Sequence, residues 1–566
     1  MVYPKNPLAQ TLIQLCKAKN IKHIVVSPGS RNAPLTIGFS NDNFFDCYSI
    51  VDERCAGFFA LGLAQKTRKP VALVCTSGSA LLNYYPAIAE AFYSQIPIVV
   101  LSADRPKHLV GIGDGQTINQ ENVYNNHILY STNLKLRNAE YSINMNSKEL
   151  HLVNEVEINK ALNKAIVRSG PVHVNVPFSE PLYELVDTLS AKPKNIQVDF
   201  NSSKIDDYNF NECLDVWNNA SKKMILVGVN FPNDIEQEWL DELAKDRSVI
   251  VFTETTSNLH HSEFFPSIDK IIAPLEPQDF ENLKPDILVT FGGLIVSKKV
   301  KAFLRNYQPK HHWHIGKNKA NDTFFCLEKH LEIHPNMFFE NFLSETTHDV
   351  RSDYKPIWEK VKSRRANKHN EYVKQIPFSD FKVFESVFKN LPIHSVLQLS
   401  NSSTVRYAQL FDLNPTLEVF CNRGTSGIDG STSTAVGFAV ASEKQTTLIT
   451  GDLSFLYDSN AMWNNYIPNN FRIIVINNQG GGIFRILPGH KNSENFDMYF
   501  ETKHDLTAEH LCRMYNFEYD SASNEKHLKV RLKTFFETSE KPKLLEIFKP
   551  RIVNDEVLLE YFKFIK

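Results

Sequence analysis

Two predicted strands near the end of the chain are followed by oxygen-bearing side chains and then by glycines. The segment Gly451–Phe484 reads GDLSFLYDSNAMWNNYIPNNFRIIVINNQGGGIF, with Asp452 after the apolar run TTLIT and Asn478 after FRIIVIN. Because carboxyl ends of parallel strands meet at one edge of a sheet, both side chains are predicted to lie there. A carboxylate, an amide oxygen and a free carbonyl suit a hard divalent ion that also binds phosphate. An Asp helix cap and an Asn-Gly turn are the alternative interpretation of each half alone.

The arrangement of a GD pair followed at this spacing by NN resembles the cofactor motif of thiamine-diphosphate-dependent enzymes. The resemblance implies that thiamine diphosphate binds through Mg²⁺, with Mn²⁺ as an alternative ion, and that Asp452, Asn478 and the Gly480 carbonyl hold the metal. Three neighbours are implied as further cofactor contacts: Leu453, Ser454 and Gly481. Leu453 stands where the motif usually has a third glycine, a departure that bears on the subfamily more than on the cofactor.

Such a cofactor also needs a carboxylate at its other end and an apolar support. Glu53 follows the predicted strand DCYSIV and precedes an apolar helix, which suits a carboxyl that hydrogen-bonds the aminopyrimidine ring. Desolvation there favours its protonated form, which helps it to share a proton with the ring. Ile428 in SGIDG is the candidate for the bulky side chain that bends the cofactor. An acid at a helix N-terminus is the alternative for Glu53, and core packing is the alternative for Ile428.

Longer segments narrow the resemblance: SPGSRNAPLT, VDERCAGFFALGLA, TSGSALLNYYPAIAEA, LSADRP, NRGTSGIDGSTSTAVG and GDLSFLYDSNA with NNQGGGIFRILP. Together they resemble the MenD family of 2-succinyl-5-enolpyruvyl-6-hydroxy-3-cyclohexene-1-carboxylate synthases. The likeness covers the first and third predicted domains almost end to end, and the middle one chiefly through FGGLIVSKKV. It implies decarboxylation of 2-oxoglutarate and addition of the resulting succinyl-semialdehyde carbanion to isochorismate, a step of menaquinone biosynthesis. It also implies a homodimer or a dimer of dimers in the cytoplasm.

Both implied substrates are dianions, so their site needs fixed cations, preferably arginines that bind carboxylates through two hydrogen bonds. Residues at positions that match the family's substrate site are Ser30, Arg31, Arg105, Lys298, Ser402, Arg406 and Arg423. Gln116 is added mainly because a glutamine matches there, and the adjacent Lys299 leaves open which lysine points inward. Taken singly, each arginine is better explained by a surface position or a structural ion pair.

The residues after the glycines are predicted to form an apolar wall over the cofactor. Ile483 and Phe484 would contact the cofactor and Leu487 the substrate, and the wall would keep water from the carbanion. Ordinary helix core is the alternative interpretation of all three.

Parallel sheets are the elements that must position these loops. Apolar, β-branched runs alternate with helical segments, which predicts an α/β fold of three doubly wound parallel-sheet domains of the thiamine-diphosphate enzyme type. The predicted domains are a pyrimidine-binding domain (1–188), a central α/β domain (189–360) and a diphosphate-binding domain (361–566), with a polar linker near 190–209. KHHWHIG (310–316) is predicted to be a β segment and not a zinc site, because a strand places only two of its histidines on one face.

Composition restricts the function classes. The chain has 566 residues, of which 42% are hydrophobic and 22% charged, with a net charge of −2 and eight cysteines that never form a C-x-x-C pair. Several domains, a globular protein and reduced thiols in a cytosolic protein are therefore expected. The charge argues against a general binder of nucleic acid or anionic membranes, and neither a signal segment nor an apolar run of membrane-spanning length is evident.

Two other functions remain open at this stage. One is another thiamine-diphosphate-dependent 2-oxo-acid decarboxylase or an acetolactate-synthase-like carboligase. It is disfavoured by the five basic residues of the predicted substrate site: Arg31, Arg105, Lys298, Arg406 and Arg423. The other is a binding or scaffold subunit without cofactor, which would require the loss of Glu53, Asp452 or Asn478, and all three are present.

Overall fold

The computed structural model describes residues 2–136, 147–198, 210–347, 350–486 and 493–566. These residues form three parallel sheets with helices packed against them, as the sequence predicts. Among them, no helix combines the length and apolarity that crossing a membrane requires.

The N-terminal region contains one six-stranded parallel sheet and a short antiparallel pair, β1 with β8. Its strands are β1 (Tyr3–Pro4), β2 (His23–Val26), β3 (Asp46–Ser49), β4 (Val71–Cys75), β5 (Ile98–Asp104), β6 (Tyr130–Asn133), β7 (Val172–Pro177) and β8 (Leu185–Val186). Its helices are α1 (Pro7–Ala18), α2 (Ala33–Ser40), α3 (Glu53–Thr67), α4 (Ala80–Asn83), α5 (Tyr85–Ser94) and α6 (Ser147–Arg168).

The middle region contains a five-stranded parallel sheet. Its strands are β9 (Lys223–Val227), β10 (Val249–Thr253), β11 (Ile287–Phe291), β12 (His311–Ile315) and β13 (Lys329–Leu331). Its helices are α7 (Asn211–Asn219), α8 (Gln237–Lys245), α9 (Ile268–Ile272), α10 (Pro277–Leu283), α11 (Lys298–Asn306), α12 (Pro335–Leu343) and α13 (Tyr354–Gln375). The histidine-rich segment is the strand β12, as predicted.

The C-terminal region contains the third sheet, which is six-stranded and parallel. Its strands are β14 (Val396–Leu399), β15 (Glu418–Cys421), β16 (Thr446–Gly451), β17 (Phe471–Asn477), β18 (Glu518–Ala522) and β19 (Lys543–Phe548). Its helices are α14 (Asp380–Phe388), α15 (Ser403–Ala408), α16 (Ser431–Val440), α17 (Asp452–Tyr457), α18 (Ile483–Ile486), α19 (Glu494–Tyr499), α20 (Glu509–Met514), α21 (Glu525–Phe535) and α22 (Val553–Phe564).

The first and third sheets have the same topology. Their strand orders are β3-β2-β4-β5-β7-β6 and β15-β14-β16-β17-β19-β18, which correspond position by position. In each sheet the strand order reverses at the second strand listed, so the loops after β2, β4, β14 and β16 open at the switch point, where ligands bind in such folds. The loops after β2, β14 and β16 contain the predicted site residues around 30, 402 and 452.

Two features of the middle region differ from the sequence pattern. The charged segment around 345–375, which shows little periodicity, contains the 22-residue helix α13. The expected boundary between residues 360 and 361 falls within this helix, so α13 connects the middle and C-terminal regions without a break. The linker expected at 190–209 lies partly outside the described residues, and 190–198 has no regular structure.

Helices α3 and α16 hold the first and third sheets together. One hydrophobic cluster contains Leu73 and Val100 of the first sheet, Leu448 and Ile473 of the third, and the apolar face of α3 between them. The helices cross at glycines: a Cβ on Gly62 would lie 2.0 Å from the Thr434 carbonyl oxygen, and one on Gly437 would lie 2.0 Å from that of Phe59. The helix that begins at Glu53 is therefore packed backbone to backbone against the region that carries Asp452.

Candidate functional site

Asp452 and the glycine segment lie together at the carboxyl edge of the third sheet. Strands β16 and β17 are neighbours, with Gly451 opposite Ile476. The Asp452 carboxylate accepts a hydrogen bond at Oδ1 from the Leu453 N–H (2.7 Å) and at Oδ2 from the Gly480 N–H (2.9 Å). The metal ligands that the sequence predicts on two separate loops are thus brought into contact.

Asn478 leaves an oxygen atom ready for a ligand. Its side chain is 7% exposed, and its Oδ1 is buried without a hydrogen-bond partner among the described residues. Its Nδ2 lies 3.5 Å from Oδ2 of Asp380, which forms an ion pair with the buried Lys549. A buried acceptor without a donor is costly, and a hard cation would satisfy it. The donor set therefore fits the divalent ion, and among the described residues the Gly480 carbonyl accepts only from the Gly482 N–H, at 3.0 Å.

The other predicted cofactor residues surround this edge. Ser454 Oγ donates to the Ile428 carbonyl oxygen at 2.9 Å, which joins the loop after β16 to the loop after β15. Gly481 donates its N–H to the Glu501 carbonyl oxygen at 2.6 Å. At the start of α18, Ile483 is half-buried and Phe484 is exposed, so Phe484 is not ordinary helix core. Leu487 lies outside the described residues.

Three residues that support this edge were not predicted from the sequence. His504 Nε2 lies 3.3 Å from Asp452 Oδ2, and this contact raises the pKa of His504. Arg485 is buried on α18 and donates from Nη2 to Glu501 Oε2 at 2.6 Å. No spacing predicts the contact of His504 with Asp452, because Glu501 and His504 reach the sheet edge from a separate segment, where they bond to the backbone of Gly481 and Gln479.

Glu53 is the first residue of α3, directly after the cap. The Asp52 carboxylate accepts from the Cys55 N–H at 3.2 Å, so Asp52 and not Glu53 performs the capping. Burial raises the pKa of Glu53, and a hydrogen bond with the Asn83 side chain opposes this. The direction is the one expected for a partly desolvated carboxyl that must share a proton.

The N-terminal region brings Arg31 and Arg105 to one edge of the first sheet. Arg31 Nη1 donates to the Phe178 carbonyl oxygen (3.0 Å) and pairs with Glu180 (3.1 Å). Arg105 Nε pairs with Asp114 at 3.1 Å. Two further predicted residues, Ser30 and Gln116, are exposed on the adjacent loops, and the Gln116 carbonyl oxygen accepts from Arg105 Nη1 at 3.3 Å.

The C-terminal region brings Arg406 and Arg423 together. Burial lowers the pKa of Arg406, and the charge of Arg423 lowers it further. Arg406 Nη1 donates to the Ser402 carbonyl oxygen at 2.6 Å, and Ser402 has a φ of +68°, a strained conformation of the kind found at functional sites. Arg423 Nη1 donates to Oδ1 of the buried Asn401 at 2.7 Å. Sequence reasoning missed Asn401.

The middle region contributes lysines beside these arginines. Lys298 begins α11 and is exposed, whereas the Nζ of Lys299 lies 4.5 Å from the ring centroid of Phe562. Burial lowers the pKa of Lys301, and the positive charges of Arg423 and Lys298 lower this pKa further. Sequence reasoning missed Lys301, although the spacing of three residues from Lys298 places both on one helix face.

The buried Glu254 orients the start of α11. Its carboxylate accepts from the N–H groups of Val296 and Ser297 at 2.6 Å each, and burial raises its pKa to about 7.

The predicted site residues form two groups. One group lies in the N-terminal region and contains Ser30, Arg31, Glu53, Arg105 and Gln116. The other described residues lie around the third sheet, together with Lys298.

Comparisons with known proteins agree with this arrangement. Residues 7–125 match the model described as "Thiamine pyrophosphate enzyme, N-terminal TPP binding domain", and residues 401–547 match "Thiamine pyrophosphate enzyme, C-terminal TPP binding domain". Proteins named 2-succinyl-5-enolpyruvyl-6-hydroxy-3-cyclohexene-1-carboxylate synthase are similar over their full length. Those of Flavobacterium psychrophilum and Christiangramia forsetii are 57% and 56% identical, with all of each chain covered. That of Phocaeicola vulgatus is 37% identical over 98% of each chain.

The chain belongs to the 2-succinyl-5-enolpyruvyl-6-hydroxy-3-cyclohexene-1-carboxylate synthase family.

Membership of this synthase family confirms the resemblance found in the sequence and favours it over the decarboxylase or acetolactate-synthase alternative. The chain is a thiamine-diphosphate-dependent enzyme, since both cofactor-binding domains are present. The first matched range contains Glu53 and the second contains Asp452 and Asn478.

Proposed function

We propose that this chain decarboxylates 2-oxoglutarate and adds the remaining four-carbon unit to isochorismate, giving 2-succinyl-5-enolpyruvyl-6-hydroxy-3-cyclohexene-1-carboxylate and CO₂. The atoms balance without a further reactant. The observation that carries the proposal is the continuity of two sites. Arg423 and Ile428 share one loop, and the Ile428 carbonyl is bound by Ser454, two residues after Asp452. A cation for an anionic substrate is therefore placed next to the cofactor site.

Asp452, Asn478 and the Gly480 carbonyl would hold Mg²⁺, or Mn²⁺, with the diphosphate. Asp452 keeps two N–H donors on its carboxylate, which fixes its orientation before metal arrives. Asp380, held by Lys549, lies on the Nδ2 side of Asn478, so Asn478 Oδ1 would be the atom that binds the metal. When bound, thiamine diphosphate supplies a nucleophilic carbon that adds to a 2-oxo acid and stabilises the carbanion left after CO₂ departs.

Glu53 would hydrogen-bond the aminopyrimidine ring and exchange a proton with it. Its raised pKa suits this role, because a group that shares a proton must be close to balance between its two forms. Ile428 would support the bent cofactor, and Ile483 with Phe484 would shield the reacting carbon from water. Phe484 is exposed in one chain, as a wall over an open site would be. The role of Leu487 remains a prediction.

The cations would bind the substrate carboxylates. Arg406, Arg423 and Lys298 belong to one group, and Arg31 with Arg105 belongs to the other, so each substrate can meet more than one fixed positive charge. Ser30, Gln116 and Ser402 would add neutral contacts. Lys299 packs on Phe562, which supports Lys298 as the lysine that faces substrate. Lys301 would add to the positive field at Arg423.

The two groups meet in a homodimer, which we also propose. Large apolar side chains are exposed around Glu53: Val51 is 50%, Tyr457 53% and Trp463 51% exposed. Tyr457 packs under Arg54, the neighbour of Glu53, with the guanidinium 4.7 Å from its ring centroid. An exposed apolar patch around a predicted active-site carboxylate suits burial against a second copy. Glu53 of one subunit would then complete the site at Asp452 of the other, and two dimers could pair further.

Mixing two inactive variants tests the shared site. Glu53→Gln and Asn478→Ala subunits, denatured and refolded together in equal amounts, should regain about a quarter of the wild-type rate, because half of the dimers contain one intact site of two. Mixtures that stay inactive, while wild-type chains refolded in the same way recover, would rule out a site shared between subunits.

The reaction itself is tested by a two-substrate assay. With thiamine diphosphate and Mg²⁺, the protein should consume 2-oxoglutarate and isochorismate in equal amounts and release the same amount of CO₂. The mass of the product should equal the sum of the two substrate masses minus the mass of CO₂. Pyruvate that replaces 2-oxoglutarate equally well would contradict the carboxylate clamp. CO₂ release that does not depend on isochorismate would indicate a decarboxylase.

All eight cysteines are free thiols, which supports our placement of the reaction in the cytoplasm.

A further inference from the structure

Glu90 is a buried carboxylate outside the predicted site that binds one of its loops. It lies on α5 in the N-terminal region and is 1% exposed. Oε1 accepts from the Gly424 N–H at 2.7 Å, and Oε2 accepts from the Thr425 N–H at 2.6 Å and from Thr425 Oγ1 at 2.9 Å. Ser94 Oγ also donates to Oε1, at 2.6 Å. The segment it binds, residues 422–428, is called the Arg423 loop below.

A carboxylate is the group that this position requires. It offers four acceptor sites, and four donors fill them: two backbone N–H groups and two hydroxyls. A glutamine would present its NH₂ group to one of the two N–H groups in either orientation of the amide. Hydrogen bonds to a charged acceptor are also stronger than those to a neutral one. Burial of this charge is thus compensated by donors from the Arg423 loop.

The Arg423 loop is fixed from two sides. On one side Asn401 donates from Nδ2 to the carbonyl oxygens of Asn422 and Gly427, at 2.7 Å each, and accepts from Arg423. On the other side the loop lies directly on α5, since a Cβ on Gly424 would be 2.5 Å from the Glu90 carbonyl oxygen. Glu90 is the side chain that completes this second contact. Arg423 immediately precedes Gly424, and Ile428 ends the loop.

We propose that Glu90 is a positioning residue for substrate binding, which docks the Arg423 loop on the N-terminal region and so fixes Arg423 and Ile428. The inference rests on the proposed function, because it takes Arg423 as a substrate contact. It adds that the N-terminal region of a chain shapes the substrate half of the site on the third sheet of the same chain. Glu90 is buried and its carboxylate is filled by four protein donors, so its role is to position the loop and not to bind substrate or cofactor.

Glu90→Gln is the test, with Ser94→Ala as the matched control that removes a donor to the same carboxylate but none from the loop. In the full-length enzyme, Glu90→Gln should raise the KM of at least one substrate and lower kcat/KM by about tenfold to a hundredfold, as misplacement of a binding group does. Ser94→Ala should stay within about twofold of wild type. In an Arg423→Ala background the Glu90→Gln effect on KM should largely disappear, because the two residues act through one contact.

A second measurement needs no substrate. Amide hydrogen exchange of a peptide covering 422–428 should be faster in Glu90→Gln than in wild type or Ser94→Ala, because the Gly424 and Thr425 amides lose their acceptor. If Glu90→Gln fails to fold, Gly424→Ala displaces the loop without changing the buried charge and should reproduce the KM effect.

The outcomes separate the two proposals. Unchanged KM values in Glu90→Gln, or a KM effect that persists in full without Arg423, would overturn the positioning role. Wild-type protein that does not turn over 2-oxoglutarate and isochorismate would overturn the proposed function, whereas unchanged exchange of the 422–428 amides would overturn the docking of the loop by Glu90 independently of any activity.

Discussion

The crossing of α3 and α16 gives a prediction with a definite sign, the effect of Gly62→Ala. In an ordinary helix this change stabilises by about 1 kcal/mol, because alanine has the higher helix propensity. At Gly62 the new Cβ would lie 2.0 Å from the Thr434 carbonyl oxygen and 2.6 Å from the Phe438 nitrogen. These are backbone atoms of α16, so no side-chain rotation can relieve the overlap.

The magnitude follows from the distance that the helices must move. Non-bonded carbon and oxygen atoms need more than 3 Å, so the helices must separate by about 1 Å or shift along each other, in a core of high packing density. Overpacking of this kind costs about 1–3 kcal/mol, which exceeds the gain in propensity. We therefore expect a net loss of stability of about 1–2 kcal/mol for Gly62→Ala. Because α3 begins at Glu53, turnover should also fall.

Gly38→Ala in α2 is the control. The nearest atom to its added Cβ is Cδ1 of Ile13, at 2.1 Å, which is the end of a side chain that can rotate away. Thermal and urea unfolding of both variants, followed by circular dichroism, should show the transition of Gly62→Ala at lower temperature and lower urea than that of Gly38→Ala. A Gly62→Ala protein that is more stable than wild type would refute the argument that the helix backbones are in contact.

Three further predictions concern single side chains. Glu53→Gln should abolish most turnover while calorimetry shows thiamine diphosphate still bound; unchanged turnover would remove Glu53 from the mechanism. Asn478→Ala should weaken Mn²⁺ binding by more than about tenfold, because it removes the acceptor that faces the metal, and a paramagnetic resonance titration that matches wild type would exclude Asn478 as a ligand. Burial raises the pKa of Asp458, which lies near Arg54, from an ordinary 3.8 to about 7. As the pH rises, Asp458 therefore ionises in the unfolded chain before it ionises in the folded protein. The free energy of unfolding of wild type should then decline between about pH 4 and 7, and Asp458→Asn should lessen this decline. Parallel pH profiles of the two proteins would contradict the argument.

Sequence pattern was sufficient for the central strands and failed at one edge of each parallel sheet. The strands that were not predicted include β6, β13 and β18, with sequences YSTN, KHL and EYDSA. All three lie at the outer edge of their sheets and carry polar or half-exposed residues. A central parallel strand is buried on both faces and shows as an apolar run, whereas an edge strand is covered less and shows no such run. The helix α13 was missed because its charged residues hide the buried side chains such as Trp358.

The amino-acid sequence by itself determined the chemistry of this protein. Asp452 with Asn478 resembled the cofactor motif of thiamine-diphosphate enzymes, and longer segments resembled a synthase family whose dianionic substrates suit the basic residues at strand ends. The full-length similarity confirms the cofactor and the family. These residues could be found because each follows a strand, and strand ends are visible in a local pattern. The domain limits and the roles of single site residues stay predictions.

Only the tertiary structure decided which of these groups meet and what supports them. It places Asn401 and Glu90 on either side of the Arg423 loop and His504 beside Asp452, and it brings Lys301 within range of the charge of Arg423. It also sets α3 against α16 through two glycines. None of these contacts has a sequence spacing that could reveal it, because each joins segments that are distant in the chain and are brought together by the packing of the sheets and helices.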